Sequence, residues 1–203
     1  MSRGFLPLLV FVIAVGVAAL AGATDGFRTV TSEGARELAI ERAPSPLPDV
    51  RLADQNGNAF SLADYRGKPV LVEFIYTRCP MLCGVLGDDF RQVLALRSHW
   101  GANQNFALLS ISFDPEHDDR TALQQYAERF GAASPGWRIA VPVDRDDLTA
   151  LLHAFGVVVI PDGNGGFAHN GAIYLVDRTG HLARILDPDA SPWLLAAVLR
   201  EAS

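Results

Sequence analysis

Positive charge is scarce in this chain and is nowhere concentrated. Its 203 residues include 17 lysines and arginines against 23 aspartates and glutamates, and no stretch forms a basic stripe. Nucleic-acid binding requires clustered Lys and Arg side chains that displace phosphate counterions, so we expect no nucleic-acid partner. The sequence also contains no internal repeats or low-complexity tracts.

Cysteine is scarcer still. Only two cysteines occur, Cys79 and Cys83, and they lie four positions apart in the stretch YTRCPMLCG. Such a pair is compatible with a structural disulfide, a redox couple or a metal chelate. Apolar residues, by contrast, make up 49% of the chain, which is enough for the core of a single domain.

The N-terminal segment is an uncharged apolar run from Phe5 to Leu20, preceded by one arginine. Small residues at Ala21 and Ala23 fit a signal-peptidase site. The run is also close to the roughly 20 residues that span a bilayer. We therefore expect residues 1–23 to be a signal peptide or a membrane anchor. Either one exports the chain, to the periplasm or to the outer face of the cytoplasmic membrane, where thiols are oxidised unless they are kept reduced.

Residues 24–46 mix charges with prolines and show little periodicity. We interpret them as a linker with a short helix from Glu33 to Arg42, ahead of one domain at residues 47–203. In that domain, Asn56-Gly57 predicts a hairpin turn with positive φ angles, and KPVLVEFIYT is typical of a central strand buried on both faces. A helix is predicted from about Met81 to His99, with Val85 among its apolar positions.

Strands and helices then alternate along the chain, which ends in a two-stranded hairpin and a final helix. This order predicts an α/β fold of the thioredoxin-like sandwich type. Such a fold has a central mixed sheet flanked by helices, here with an added N-terminal hairpin.

The two cysteines fall where the predicted central strand ends and the next helix begins. Backbone N–H groups and the helix dipole at that point favour a thiolate, which would lower a cysteine pKa. Thiolates bind metal, and two side chains about four apart lie on one face of a helix. A disulfide between Cys79 and Cys83 would close only a very short loop and would stabilise the fold little. Redox chemistry and metal binding therefore remain, and two thiolates favour copper(I) or zinc.

Five histidines are candidates for a third ligand. His99 ends a helix, His117 lies among acidic residues and is expected to be solvated, His153 is expected to pack in an amphipathic helix, and His181 is at a turn. His169 differs, because it follows a glycine-rich loop and precedes an apolar strand. In a thioredoxin-like sandwich that loop passes over the cysteines, so the topology directs His169 towards the thiols.

With these residues identified, the chain resembles the Sco/SenC family of copper proteins that assemble cytochrome oxidase. The resemblance covers the domain from about Leu47 to the C-terminus and rests on four stretches, LVEFIYTRCPMLC, LLSISFDPEHDD, HAFGV and AHNGAIYLVDRTGHL. The chain departs from the family pattern at Met81, Gly84 and Asn170, where Asp, Pro and Ser or Thr are common.

The resemblance implies that Cys79, Cys83 and His169 bind copper, as Cu(I) or Cu(II). It also implies that the partner is the copper-centre subunit of cytochrome oxidase, with other copper carriers as further candidates. Two activities follow. One is a metallochaperone, and the other is a thiol–disulfide oxidoreductase in which Cys79 and Cys83 are the redox pair. A peroxidase fits less well, because Thr77 lies two residues before Cys79 and such enzymes usually have Thr or Ser three before.

Overall fold

A computed structural model of the chain describes residues 5–26, 30–79, 82–99, 105–132 and 136–203. The helices are α1 (Phe5–Ala23), α2 (Ser32–Arg42), a 3-10 helix (Leu62–Tyr65), α3 (Leu82–His99), α4 (Arg120–Phe130), α5 (Arg145–Phe155) and α6 (Pro192–Glu201). The strands are β1 (Ser45–Pro46), β2 (Arg51–Asp54), β3 (Ala59–Ser61), β4 (Val70–Ile75), β5 (Ala107–Ser112), β6 (Trp137–Pro142), β7 (Val159–Pro161), β8 (Phe167–His169), β9 (Ile173–Val176) and β10 (His181–Leu186).

The chain divides into two compact units, Met1–Ala43 and Pro44–Ser203. The first unit contains α1 and α2. Thr31 caps α2, since its hydroxyl accepts a hydrogen bond from the N–H of Gly34. The helix predicted near Glu33 to Arg42 is therefore present. Within the described residues, no helix has the combination of length and apolar character that crossing a membrane requires.

The second unit is built on an eight-stranded sheet with the order β1-β10-β9-β4-β5-β6-β2-β3. β4, β5 and β6 are parallel neighbours, whereas β9 pairs with β4 in the antiparallel direction, so the sheet is mixed. Every residue of β4 and β5 is buried, as predicted for the central strand. Helix α3 packs against α6, and helices α4 and α5 pack against β6.

The predicted N-terminal hairpin is formed by β2 and β3, and it joins the sheet through β6. Its turn differs from the expectation, because Gly57 has a positive φ of 81° and Asn56 does not. Hydrogen bonds to the side chain of Asp54 hold the turn instead. Its Oδ1 accepts hydrogen bonds from the N–H groups of both Asn56 and Asn58.

Several local expectations are wrong in detail. The segment interpreted as a linker ends in a short strand, β1, which pairs with β10. The glycine-rich loop before His169 contains a second, two-stranded sheet, formed by β7 and β8. Val85 is 54% exposed, and His153 is exposed on α5 rather than packed. Periodicity identifies an amphipathic helix, but it fixes the buried face only to within about one residue.

Candidate metal centre

The two cysteines flank the start of α3, as the sequence predicts. Cys79 ends the short loop that follows β4, and Cys83 is the second residue of α3. Pro80 and Met81 lie outside the described residues. The N–H of Cys83 donates a hydrogen bond to the Cys79 sulfur over 3.4 Å, and the two residues form no disulfide. The structure therefore brings the pair together.

The two thiols differ in their surroundings. Cys83 is only 1% exposed, whereas Cys79 is partly exposed. Burial raises the pKa of the Cys83 thiol, and its hydrogen bond with Cys79 raises it further. The expectation that the helix N-terminus lowers the pKa is therefore wrong for Cys83, because burial outweighs the backbone hydrogen bond with Tyr76 that lowers it.

The loop before Cys79 is fastened to the end of β5 by Asp118, which is 1% exposed. One carboxylate oxygen accepts hydrogen bonds from the N–H of Thr77 at 2.9 Å and from the hydroxyl of Ser112 at 2.5 Å. The other oxygen accepts from the Thr77 hydroxyl at 2.6 Å. Thr77 is therefore a structural anchor of the cysteine loop, and its hydroxyl is not free to act on a substrate.

A second carboxylate, Asp114, holds the next residue of the loop. It pairs with Arg78 at 2.7 Å and with the Nδ1 of His117 at 2.9 Å. Burial alone would raise the pKa of Asp114, but the hydrogen bonds from His117 and Arg78 lower it below the usual value. His117 is exposed on its outer side, as expected, yet it also has this ionic partner. Sequence reasoning missed both aspartates, although the stretch SISFDPEHDD that contains them contributed to the family resemblance.

His169 ends β8 and lies against an aromatic cluster. Its ring centroid is 5.0 Å from that of Phe113 and 6.4 Å from that of Tyr76. Both ring nitrogens are buried, and neither makes a hydrogen bond of good geometry with a described residue, although the backbone of Asn170 lies close enough to offset part of the effect of burial on the pKa. Burial lowers the pKa of His169, so the imidazole is neutral at neutral pH. A neutral imidazole with free nitrogens is the form that binds metal.

The hairpin that carries His169 is tied down by its neighbour Asn170. The side-chain oxygen of Asn170 accepts a hydrogen bond from the N–H of Val158 at 2.7 Å. Its amide nitrogen donates to the carbonyl of Gly156 at 3.0 Å. The departure from the Ser or Thr common at this position therefore has a structural role, because Asn170 joins the end of β8 to the end of α5.

Tyr76 connects the thiols with the histidine. It is 4% exposed, and its ring packs edge-on against both Phe167 and His169. Burial raises the pKa of the Tyr76 hydroxyl, and the Cys79 thiol is one of its hydrogen-bond partners. One tyrosine side chain thus contacts both the dithiol and the imidazole.

The predicted ligands are neighbours, but they do not form a ready-made chelate. Within the described parts of the chain, no three His, Cys, Asp or Glu side chains are grouped closely enough to bind a metal ion. The donor set nevertheless fits a soft metal, since it consists of two cysteine sulfurs that form no disulfide and an imidazole whose buried nitrogens make no hydrogen bond of good geometry with a described residue. Binding would require a movement that brings His169 and the cysteines to one point.

A buried carboxyl group that sequence reasoning missed lies in β4. Glu73 is fully buried, and one of its oxygens accepts a hydrogen bond from the Ser110 hydroxyl, while the other has no described partner. Burial raises the pKa of Glu73 to about 8, so it is largely protonated at neutral pH. It contributes electrostatically to the raised pKa of Cys83. In the sequence Glu73 is a single charged residue within an apolar run, and no hydrogen-bond partner lies close to it along the chain.

Comparison with known proteins is decisive at this point. The SCO1/SenC family model matches residues 43–203, which include both cysteines, His169 and the whole sheet. The chain belongs to the SCO1/SenC family. Its second unit therefore has the thioredoxin-like fold that the order of elements predicted.

Among the curated relatives, the mitochondrial SCO2 homolog of Mus musculus is 28% identical over 149 residues, covering 63% of this chain and 57% of the mouse protein. The thiol-disulfide oxidoreductase ResA of Geobacillus thermodenitrificans is 26% identical over 142 residues, covering 70% of this chain and 67% of ResA. Among solved structures, copper-bound ScoI of Bradyrhizobium japonicum is 26% identical, with a TM-score of 0.67, covering 78% of this chain and 100% of ScoI.

Proposed function

We propose that this SCO1/SenC family member is a copper metallochaperone that binds one copper ion through Cys79, Cys83 and His169. The observation that carries the proposal is the pair of buried His169 nitrogens that make no hydrogen bond of good geometry with a described residue, close to two cysteines that form no disulfide. Buried polar groups without partners cost stability, so an imidazole left in this state is best explained by a ligand that it binds. The family match and the copper bound to ScoI support copper rather than zinc.

In this proposal each side chain has a defined task. The thiols lose their protons on binding, and the high pKa of Cys83 makes loading dependent on pH. Neutral His169 supplies the third bond, and Asn170 fixes the hairpin from which it reaches the thiols. Since the Sco family is associated with cytochrome oxidase assembly, the recipient is its copper-centre subunit. Release then proceeds by exchange of ligands with that subunit.

A second activity of the same residues has support from their unequal exposure. In a thiol–disulfide oxidoreductase, the partly exposed Cys79 attacks a partner's disulfide and forms a mixed disulfide, which releases one partner thiol. Cys83, whose N–H already contacts the Cys79 sulfur, then attacks that sulfur after losing its proton. The partner leaves with two thiols and the chain with a Cys79–Cys83 disulfide. The similarity to ResA favours this alternative.

The test is an anaerobic copper(I) titration of the reduced chain, followed by X-ray absorption. We expect one copper per chain with two sulfur ligands and one nitrogen ligand. His169→Ala should lower the affinity by about a hundredfold or more, because losing a direct ligand costs at least as much as losing an outer partner of a ligand. His153→Ala is the matched control, since His153 is exposed on α5. Binding that is unchanged in His169→Ala would disprove the copper site as proposed.

The two activities separate in the same variant. His169→Ala should abolish copper delivery to an oxidase copper subunit while it largely spares reduction of a model disulfide. The opposite pattern, in which oxidase assembly survives His169→Ala but not Cys79→Ser, identifies the reductase as the main activity.

We also propose that the protein is exported, and N-terminal sequencing of the mature chain tests whether residues 1–23 are removed.

A further inference from the structure

A cleft of about 380 Å³ opens beside the loop that leads to Cys79. One wall is formed by Thr77, Arg78 and His117, and the other by Gln125, Tyr126 and Arg129 of α4. Arg78 directly precedes Cys79, and the hydroxyl of Tyr126 donates a hydrogen bond to the carbonyl of Cys83 at 2.8 Å. A molecule in this cleft would therefore touch the loop that leads to Cys79 and would contact Tyr126, which is hydrogen-bonded to the backbone of Cys83.

The cleft differs in charge from the rest of the chain. The whole protein has a formal net charge of −6, yet the residues that line the cleft include two arginines and a histidine and no carboxylate. Asp114 and Asp118 lie behind the wall, 5% and 1% exposed, with their oxygens turned to Arg78, His117 and Thr77. The exposed charges at the opening are therefore the two guanidinium groups, while Asp114 and Asp118 behind them offset part of that charge.

Both guanidinium groups have capacity for a ligand. One N–H group of Arg78 donates a hydrogen bond to Asp114, and the Arg78 side chain is 43% exposed. Arg129 is exposed, lies over the ring of Phe130 at 5.0 Å, and makes no salt bridge with a described carboxylate. Stacking on the ring orients the planar guanidinium, which favours bidentate binding of a carboxylate.

We propose that this cleft, the arginine cleft, binds acidic side chains of the protein that the dithiol serves, and thereby aligns that partner with Cys79. The inference rests on the proposed function, since it assumes that a protein partner approaches the thiols. The volume is near the lower end of ligand pockets, about 300–1,000 Å³, which suits one or two carboxylate side chains. Complementary charge of this kind accelerates and orients encounters more than it adds affinity.

The proposal can be tested without copper and without partner cysteines. A fluorescein-labelled peptide with four glutamates among glycines and serines is titrated against the reduced full-length chain in a non-ionic detergent, and anisotropy is followed. The same peptide with glutamines is the matched probe. We expect the glutamate peptide alone to bind, and raising the salt from about 50 mM to about 500 mM to weaken its binding strongly.

Variants locate the binding. Arg129→Gln should weaken the glutamate peptide about fivefold, and Arg78→Gln together with Arg129→Gln more strongly. Arg184→Gln is the matched control. The Arg184 side chain is 43% exposed, as that of Arg78 is, but Arg184 lies on β10, towards the other edge of the sheet. The bound peptide should also slow alkylation of Cys79 by iodoacetamide in the parent chain and not in Arg129→Gln.

The outcomes are distinct. Equal binding of the glutamine peptide, or undiminished binding to Arg129→Gln, would overturn the arginine cleft. Glutathione that displaces the peptide at the peptide's own concentration would identify a site for a small anionic thiol and would also overturn the proposal. Because the probe contains neither copper nor cysteine, this result is independent of the copper titration that tests the proposed function.

Discussion

At the scale of single residues, the two thiols of the site are chemically unequal. Cys79 is partly exposed, whereas Cys83 is 1% exposed and has a pKa raised by burial. Since the thiolate is the reacting form, iodoacetamide near neutral pH should label Cys79 at least about ten times faster than Cys83. Mass spectrometry of the labelled peptide measures the order. Cys79→Ser should leave a slowly reacting chain, and Cys83→Ser a rapidly reacting one; equal rates in the two variants would contradict this assignment.

Glu73 predicts a dependence of stability on pH. Its pKa is about 8 in the folded state against an ordinary 4.5, because it is fully buried. Between these values the folded chain binds more protons than the unfolded chain, so the free energy of unfolding falls as the pH rises and levels off above about pH 8. The slope is at most about 1.4 kcal/mol per pH unit. Glu73→Gln should remove this slope. Urea unfolding measured at pH values about half a unit apart, from pH 5 to pH 8, checks this prediction.

The matched control for Glu73 is Glu128→Gln, since Glu128 is exposed on α4. That variant should keep the slope of the parent chain. A parent chain whose stability does not change with pH over this range, or a Glu73→Gln variant that retains the same slope, would show that Glu73 is ionised when buried.

At the scale of elements, Asp118 joins β5 to the cysteine loop through three hydrogen bonds. Asp118→Ala removes the two oxygens that accept these three hydrogen bonds and leaves the N–H and hydroxyl of part-buried Thr77, and the buried Ser112 hydroxyl, without them. We expect a loss of about 2–4 kcal/mol in the free energy of unfolding, measured by urea denaturation, and weaker copper(I) binding because the loop before Cys79 is released. Asp189→Ala, at an exposed turn, should be neutral. Parental stability in Asp118→Ala would contradict the anchoring role.

The elements themselves could largely be predicted from the sequence, because burial imposes strong local patterns on β4, β5 and the amphipathic helices. The hairpin of β7 and β8 could not, since its strands are three residues each and are separated by glycines. The cysteines and His169 could be proposed from the sequence as candidate ligands, because the chain has only two cysteines and the predicted topology directs one of its five histidines towards them. The roles of Asp118, Asn170 and Glu73 were missed, because each has a partner at least 12 positions away in the chain, namely Thr77, Val158 and Ser110, and such partners come together only when the strands are assembled.

At the scale of the whole molecule, the division at Ala43 makes a prediction about folding. The unit Pro44–Ser203 contains the entire eight-stranded sheet, and the family match covers nearly the same residues, 43–203. A chain trimmed to residues 44–203 should therefore unfold cooperatively and bind one copper ion as the full chain does.

Trimming further, to residue 51, removes β1, which pairs with β10 through Ser45 and Pro46. We expect that cut to lower the stability by about 1–2 kcal/mol, since it exposes the edge of β10 to solvent. Chemical denaturation and near-ultraviolet circular dichroism of the two trimmed chains distinguish the cases. Aggregation of the 44–203 chain under conditions where the full chain is folded would show that the first unit is required for the fold.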